Sequence, residues 1–342
     1  VMSGSEQGYH INVTRISFSD IPGITTDGTN FGNYLDQIVD YLSENDPNGP
    51  LATLLSQILT GNPADYAHGV NELSGHQNAD MLLAALGNPS QLMDIIFGQL
   101  GGTGFGGSVF TDLGTSIQVA NNSVSAAAAD GGMPSSLVGA NAGSSPVEKQ
   151  ISVWARAFGN WASLDRNSGI GAAGFTSNGG GAVIGGDYKV NDNFKAGLAG
   201  GYQRDNVDFH GAGKSDITTW SLSAYARGEQ GPLYVNGLLG YAYQDYSLDR
   251  YYQPIVPGTV YTAHRSPSGG AYYAGAEGGY DYDLGSQAKL EPFLGFLYSH
   301  TKVDGSTETG SGPANLTISD QSANSASSRL GLRWSQTFGS AG

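Results

Sequence analysis

The side chains that could do chemistry are few and scattered. Six histidines are present, but none falls in H-x-x-x-H or H-E-x-x-H spacing, so no metal site is expected. Cysteine is absent, which excludes a disulfide framework and thiolate ligands. Gly102, Gly104 and Gly107 fit G-x-G-x-x-G. They follow a helical segment rather than a strand, so a phosphate-cradling turn lacks its context. His264, His300 and many Ser and Asp lie in predicted strands and loops, which leaves a Ser–His–Asp relay open by composition. No G-x-S-x-G elbow presents a nucleophile. Neither catalysis nor a cofactor is expected.

The elements that would have to position such residues are of an unusual kind. The chain has 342 residues, with 53 glycines, 19 tyrosines and only 13% charged residues. Aromatic abundance argues against disorder, and low charge argues against an ordinary soluble enzyme. A formal net charge of −15 disfavours nucleic acid as a partner. No apolar stretch reaches the ~18 residues of a membrane helix, and the sequence opens at Val1 in mid-pattern rather than with a signal-peptide pattern. A β-barrel escapes both tests, because it spans with short alternating strands.

Four regions follow one another. Residues 1–28 hold one β-like run, Tyr9–Phe18, then Pro22, Gly23 and Gly28, and are read as the end of a larger upstream passenger. Residues 29–100 take a helical period. Tyr34, Leu35, Ile38, Val39 and Leu42 share one face, with Thr29 or Asn30 as cap. Leu51, Leu54, Leu55, Ile58 and Leu59 make a second helix, and further helical turns lie at 64–73, 79–86 and 90–100. Their leucines are expected to form a helix–helix core. Residues 101–149 are a Gly/Ala/Ser-rich linker, in which Ser116–Ala129 is predicted to be a helix.

From residue 150 to 342 the period is two. Leu233, Val235, Leu239, Tyr241 and Tyr243 share one face; Tyr234, Asn236, Leu238, Ala242 and Gln244 share the other. Strands are predicted near 150–164, 175–189, 194–205, 216–228, 232–247, 268–283, 288–303 and 325–338. Connections alternate between short (190–193, 229–231, 284–287) and long (165–174, 206–215, 248–267, 304–324). Transmembrane barrels show this asymmetry, with tight periplasmic turns and long outer loops. The fold class is therefore mainly β, an antiparallel transmembrane barrel preceded by a helical linker region.

In lipid the apolar face must point outward, so Leu222 and Leu239 are expected to meet the bilayer. Tyr188, Tyr202, Tyr246, Tyr280 and Tyr282 are expected to form aromatic girdles. Arg156, Lys195, Arg227, Glu277, Arg329 and Arg333 are expected to face the lumen. An Arg or Lys on the lipid face would cost about 2–4 kcal/mol at mid-bilayer. Substitution of inward Ser223 by arginine is expected to be tolerated.

Val153-Trp154-Ala155-Arg156-Ala157-Phe158-Gly159-Asn160-Trp161 resembles the opening strand of the autotransporter β-domain, W-x-R-x-[FY]-G-x-W. Gly180–Tyr188 and Asn193–Tyr202 resemble its second and third strands. Leu290-Glu291-Pro292-Phe293 is similar to its L-x-P-[FY] strand, and Ser328–Arg333 to its S-x-x-G-x-R strand. Leu73-Ser74-Gly75 is similar to the upstream L-S-G-E segment, with His76 in place of the acid. The resemblance covers roughly residues 150–338. It implies a twelve-stranded barrel, so eight strands are expected here, about four are missing, and the sheet should stay open between residues 151–161 and 328–336.

It also implies a translocator in a bacterial outer membrane that anchors and exports its own passenger to the cell surface. Lipid and the barrel-assembly machinery are the implied partners. The linker helix Ser116–Ala129 would lie in the lumen. Some autotransporters cut themselves between two asparagines in that helix, which makes Asn121 and Asn122 the candidate self-cleavage pair. The alternative from another class is a passive outer-membrane channel or an adhesin with a folded helical domain.

Overall fold

In the computed structural model, residues 17–59, 63–101, 118–124, 151–166, 174–252, 260–285 and 288–336 are described. They fall into two compact units. The first contains residues 1–74 with 169–171 and 252–260. It holds helices α1 (Thr26–Asn45), α2 (Pro50–Leu59) and α3 (Pro63–Leu73). Apolar side chains at helical spacing, among them Leu35, Leu55, Ile58 and Val70, are buried. The start of α1 differs from expectation. Thr25, not Thr29 or Asn30, is the cap, its hydroxyl accepting from Gly28 N at 3.1 Å. Gly28 does not break the helix. It admits the close approach of α3, because a Cβ there would collide with Asn71 Oδ1. That oxygen also accepts from Thr25 N at 2.9 Å and Thr25 Oγ1 at 3.0 Å.

The second unit holds α4 (Gln77–Ala85), α5 (Asn88–Leu100) and the sheet. Its long strands are β2 (Ile151–Leu164), β3 (Phe175–Asn191), β4 (Phe194–Asp208), β5 (Gly213–Gln230), β6 (Leu233–Tyr252), β8 (Ser268–Tyr280), β10 (Ala288–Val303) and β13 (Gln321–Gln336). Short pieces extend them: β7 (Tyr261–Arg265) pairs with β6, β9 (Tyr282–Asp283) pairs with β10, and β11 (Ser306–Thr307) pairs with β12 (Thr317–Ile318) in the connection between β10 and β13. The long strands pair in chain order and are antiparallel throughout, an eight-stranded half-barrel. No pairing joins β2 to β13 among the described residues.

The other edge of β2 is not bare. Gln118–Val124 forms strand β1, antiparallel to β2, with Asn121 opposite Asn160 and Asn122 opposite Gly159. This corrects the expected helix over Ser116–Ala129. An unpaired strand edge presents a row of free N–H and C=O groups, and an extended segment satisfies them where a helix cannot. The β-branched Val119 and Val124, with Asn121, Asn122 and Ser123, suit a strand no worse than a helix.

Alternation gives the sheet two faces. Leu239 and Leu222 are 65% and 63% exposed on the outer face, while Asn236 and Gln244 are fully buried on the inner. Outer Ile151, Val153, Trp161, Ile184, Leu198, Trp220, Val235, Phe296, Leu330 and Trp334 are exposed as well. A belt of this extent is not a water-facing surface. Tyr188, Tyr202, Tyr280 and Tyr282 stand exposed with it. Tyr246 does not. It is buried and donates to Gln244 Oε1 at 2.9 Å. Its even number on β6 puts it in phase with Tyr234, Asn236 and Leu238, so the expected girdle loses this member.

Inner aromatic rings lie flat across neighbouring strands where glycine makes room. A Cβ on Gly240 would collide with the Tyr273 ring, and one on Gly197 would sit 2.6 Å from Tyr225. Glycine abundance on the inner face therefore has a packing cause.

Candidate functional site

The inner face is occupied by a helix. Helix α5 starts with Pro at its first turn, where the missing N–H has no intrahelical partner to lose. It is apolar on nearly every side, with Leu92, Met93, Ile95, Ile96, Phe97 and Leu100. Such a helix must be surrounded. These residues form one buried cluster with Trp154, Phe158, Val183, Ala199, Tyr225, Leu238, Tyr273 and Leu297 of the sheet. Above it, Met81, Leu82 and Ala85 of α4 join Phe175, Phe209, Ile217, Tyr246, Leu248 and Val303. The expected helix–helix core therefore does not extend to these two helices, which pack on strands.

Polar contacts set the helix's position along the strands. Gln77 of α4 donates to Ala212 O, in the connection between β4 and β5, at 3.2 Å. At the start of α5, Asn88 donates to Asp205 Oδ2 at 3.3 Å and Thr219 Oγ1 at 3.2 Å, and accepts from Gln203 Nε2 at 3.0 Å. Midway, Arg329 donates to Asp94 and, at 3.1 Å, to Ser90 O. Near the end, Arg156 donates to Gln99 Oε1 through Nε and Nη2, at 3.2 and 2.9 Å. Lys195, beside the short turn into β4, donates to the terminal Leu100 O at 2.7 Å. A cation on a helix's last carbonyl also favours its dipole. The chain thus descends from the long-loop end to the short-turn end, where β2 begins with Ile151 opposite Tyr188.

A second network crosses five strands near the short-turn end. Arg333 donates to Glu277 Oε1 and Oε2 at 2.9 and 2.8 Å, to Glu291 Oε1 at 2.5 Å, and to Tyr234 OH at 3.0 Å. Tyr234 OH donates to Glu291 Oε1 at 2.6 Å. Asn236 donates to Glu277, and Arg227 to Asn236 Oδ1 at 3.4 Å and Glu229 Oε1 at 2.5 Å. Arg227 also lies 4.0 Å over the Tyr234 ring. Two buried carboxylates and their cations are thereby paired, as burial of charge demands.

Arg156, Lys195, Arg227, Glu277, Arg329 and Arg333 all stand on the inner face. Arg156, Lys195 and Arg329 hold α5, while Arg227, Glu277 and Arg333 tie strands together. Sequence reasoning missed their partners Asp94, Gln99 and Glu291, and the separate Asn88–Asp205 contact. The available signal was the all-round apolar character of residues 92–100, which marks a helix to be enclosed rather than one packed on a single face. Asn121 and Asn122 lie in β1 at the sheet's edge, not in a helix on the inner face. Among the described residues no cluster of His, Asp and Glu could hold a metal ion.

Known proteins are similar to part of this chain. Esterase EstA of Pseudomonas aeruginosa is 28% identical over 183 residues, which are 52% of this chain and 28% of that protein. An uncharacterized Pseudomonas putida protein from the trpE-trpG intergenic region is 30% identical over 159 residues, 45% of this chain and 26% of that one. The chain thus spans about a quarter of the length of these relatives. Among solved structures, the translocator domain of the autotransporter NalP from Neisseria meningitidis matches with a TM-score of 0.45 and 21% identity, over 55% of this chain and 61% of that one. The β-domain of the Bordetella autotransporter BrkA matches at 0.42 and 22%, over 57% and 73%. Residues 153–342, more than half of the chain, match the family model for the autotransporter β-domain, and the chain belongs to that family of outer-membrane translocator barrels.

Proposed function

We propose that this chain anchors and exports a passenger lying N-terminal to α4. The supporting observation is the course of α4 and α5. They run along the inner face from the long-loop end to the short-turn end, held by Gln77, Asn88, Asp94, Gln99 and Leu100. A chain threaded this way delivers its upstream part to the side of the long loops, which is the cell exterior in transmembrane barrels. The barrel-assembly machinery and outer-membrane lipid are the partners in this reading. A helix filling the inner face weighs against a passive open channel. The role of the β-domain is transport, and any activity of a passenger is separate from it.

The test is surface exposure in the full-length protein. An epitope placed before Ser17 should be cleaved by added protease in intact cells. Cleavage only after the outer membrane is permeabilised would overturn the proposal.

A further inference from the structure

The residues that composition left open for a Ser–His–Asp relay are partly brought together. His264 and Ser266 stand two apart on one strand path, β7 and its junction to β8, so both point outward. Asp249 faces them from β6. His264 Nδ1 lies 2.7 Å from Asp249 Oδ1, and His264 Nε2 lies 3.0 Å from Ser266 Oγ. Of the two neutral tautomers, only one satisfies both contacts. A proton on Nδ1 serves the carboxylate, which leaves Nε2 to accept from the serine hydroxyl. Asp249 is fixed from its other side by Lys214, whose Nζ is 3.6 Å from Oδ2. The backbone is fixed too, since His264 exchanges both ladder bonds with Thr309 at 2.8 Å. His264 and Ser266 are exposed, so a substrate can reach the hydroxyl.

We propose that Ser266, His264 and Asp249 form an acyl-ester hydrolase site on the outer wall of the β-domain, in addition to its role in transport. Ser266 Oγ would attack the ester carbonyl while its proton passes to His264 Nε2. Collapse of the tetrahedral adduct breaks the C–O bond, and the alcohol leaves with that proton. Water then attacks the acyl-serine, giving its proton to His264, and the carboxylic acid departs as Ser266 regains its hydrogen. Asp249 holds the imidazole in the required tautomer and stabilises its cation.

Position selects the substrate. On β6 the outer apolar run ends at Tyr243, and Asp245, Ser247 and Asp249 follow outward. At about 3.3 Å per residue, Asp249 is roughly 20 Å along the strand from Tyr243. The site is clear of the bilayer's acyl region, so a water-accessible carboxylic ester fits it, and an acyl ester of a bilayer phospholipid does not.

The test uses the full-length protein in outer-membrane vesicles. A fluorophosphonate should label Ser266, located by peptide mass spectrometry, which separates it from any passenger serine. Labelling should vanish in Ser266→Ala and His264→Gln and persist in Ser268→Ala. Hydrolysis of p-nitrophenyl butyrate by the labelled site should fall by about 10²-fold or more in Asp249→Asn. No adduct on Ser266, or an adduct equally formed in His264→Gln, overturns the proposal. Cleavage of phospholipid in mixed micelles in preference to p-nitrophenyl butyrate overturns the substrate assignment.

Discussion

Replacing Arg333 by methionine tests the five-strand network most directly. The guanidinium faces Glu277 and Glu291, whose side chains are 1% and 8% exposed, and is itself only 16% exposed. Methionine keeps most of the apolar stem and loses the guanidinium, whose carbon lies 3.9 Å from the Phe293 ring centroid. The loss is therefore electrostatic. Two buried carboxylates would remain beside one another with only the Tyr234 hydroxyl and Asn236 amide between them. Breaking a buried ion pair by removing one partner costs about 3–5 kcal/mol. Part of that is recovered if one carboxylate takes up a proton, so we expect about 3 kcal/mol. Equilibrium unfolding in detergent micelles, followed by tryptophan fluorescence in urea, reads the change. Adding Glu277→Gln and Glu291→Gln should restore most of the stability, because amides keep the shape and remove the stranded charge. A single variant with an unchanged midpoint, or a triple variant no more stable than the single, would refute the electrostatic account.

Four further outcomes are expected. Leu239→Arg should lower barrel stability by about 2–4 kcal/mol and abolish the heat-modifiable band, since its side chain faces outward within the apolar belt. Ser223→Arg should also impair folding, contrary to the expectation from alternation alone, because Ser223 is buried 2.9 Å from Tyr273 OH; wild-type mobility would disprove this packing. Arg329→Ala with Arg156→Ala should loosen α5 and raise ion conductance in planar bilayers, whereas conductance equal to that of the parent would mean the two arginines do not position the helix. Lys302, 2.6 Å from Asp320, and the Gly305 N–H hold the Asp320 carboxyl below its ordinary range. A depressed carboxylate stabilises above the ordinary value and loses its contribution as pH falls through the folded one. The Gly305 amide should therefore lose its protection only below the pH at which an ordinary aspartate titrates, about 4; loss of protection already near pH 5 would contradict the pairing.

The sheet was legible from the residues alone. Period-two patterning and the rhythm of short and long connections place β2 to β6, β8, β10 and β13 and separate Leu239 from Asn236, because strand geometry forces successive side chains to opposite faces. The same alternation puts Arg227, Glu277 and Arg333 on one face. Tyr246 was legible by that rule too, since its even number puts it inward, but its residue type suggested a girdle. What fills the inner face was settled by packing in three dimensions. Residues 88–100 and 116–129 both have helical composition, and the choice rests on volume and pairing. The bulky Leu92, Ile96 and Phe97 fill the space under Trp154 and Tyr273, while Gln118–Val124 satisfies the free edge of β2. Partners such as Asp94 for Arg329 lie 235 positions apart, and His264 meets Asp249 only because β7 folds back on β6. No local pattern encodes such meetings, because they depend on register and on how the strands pair.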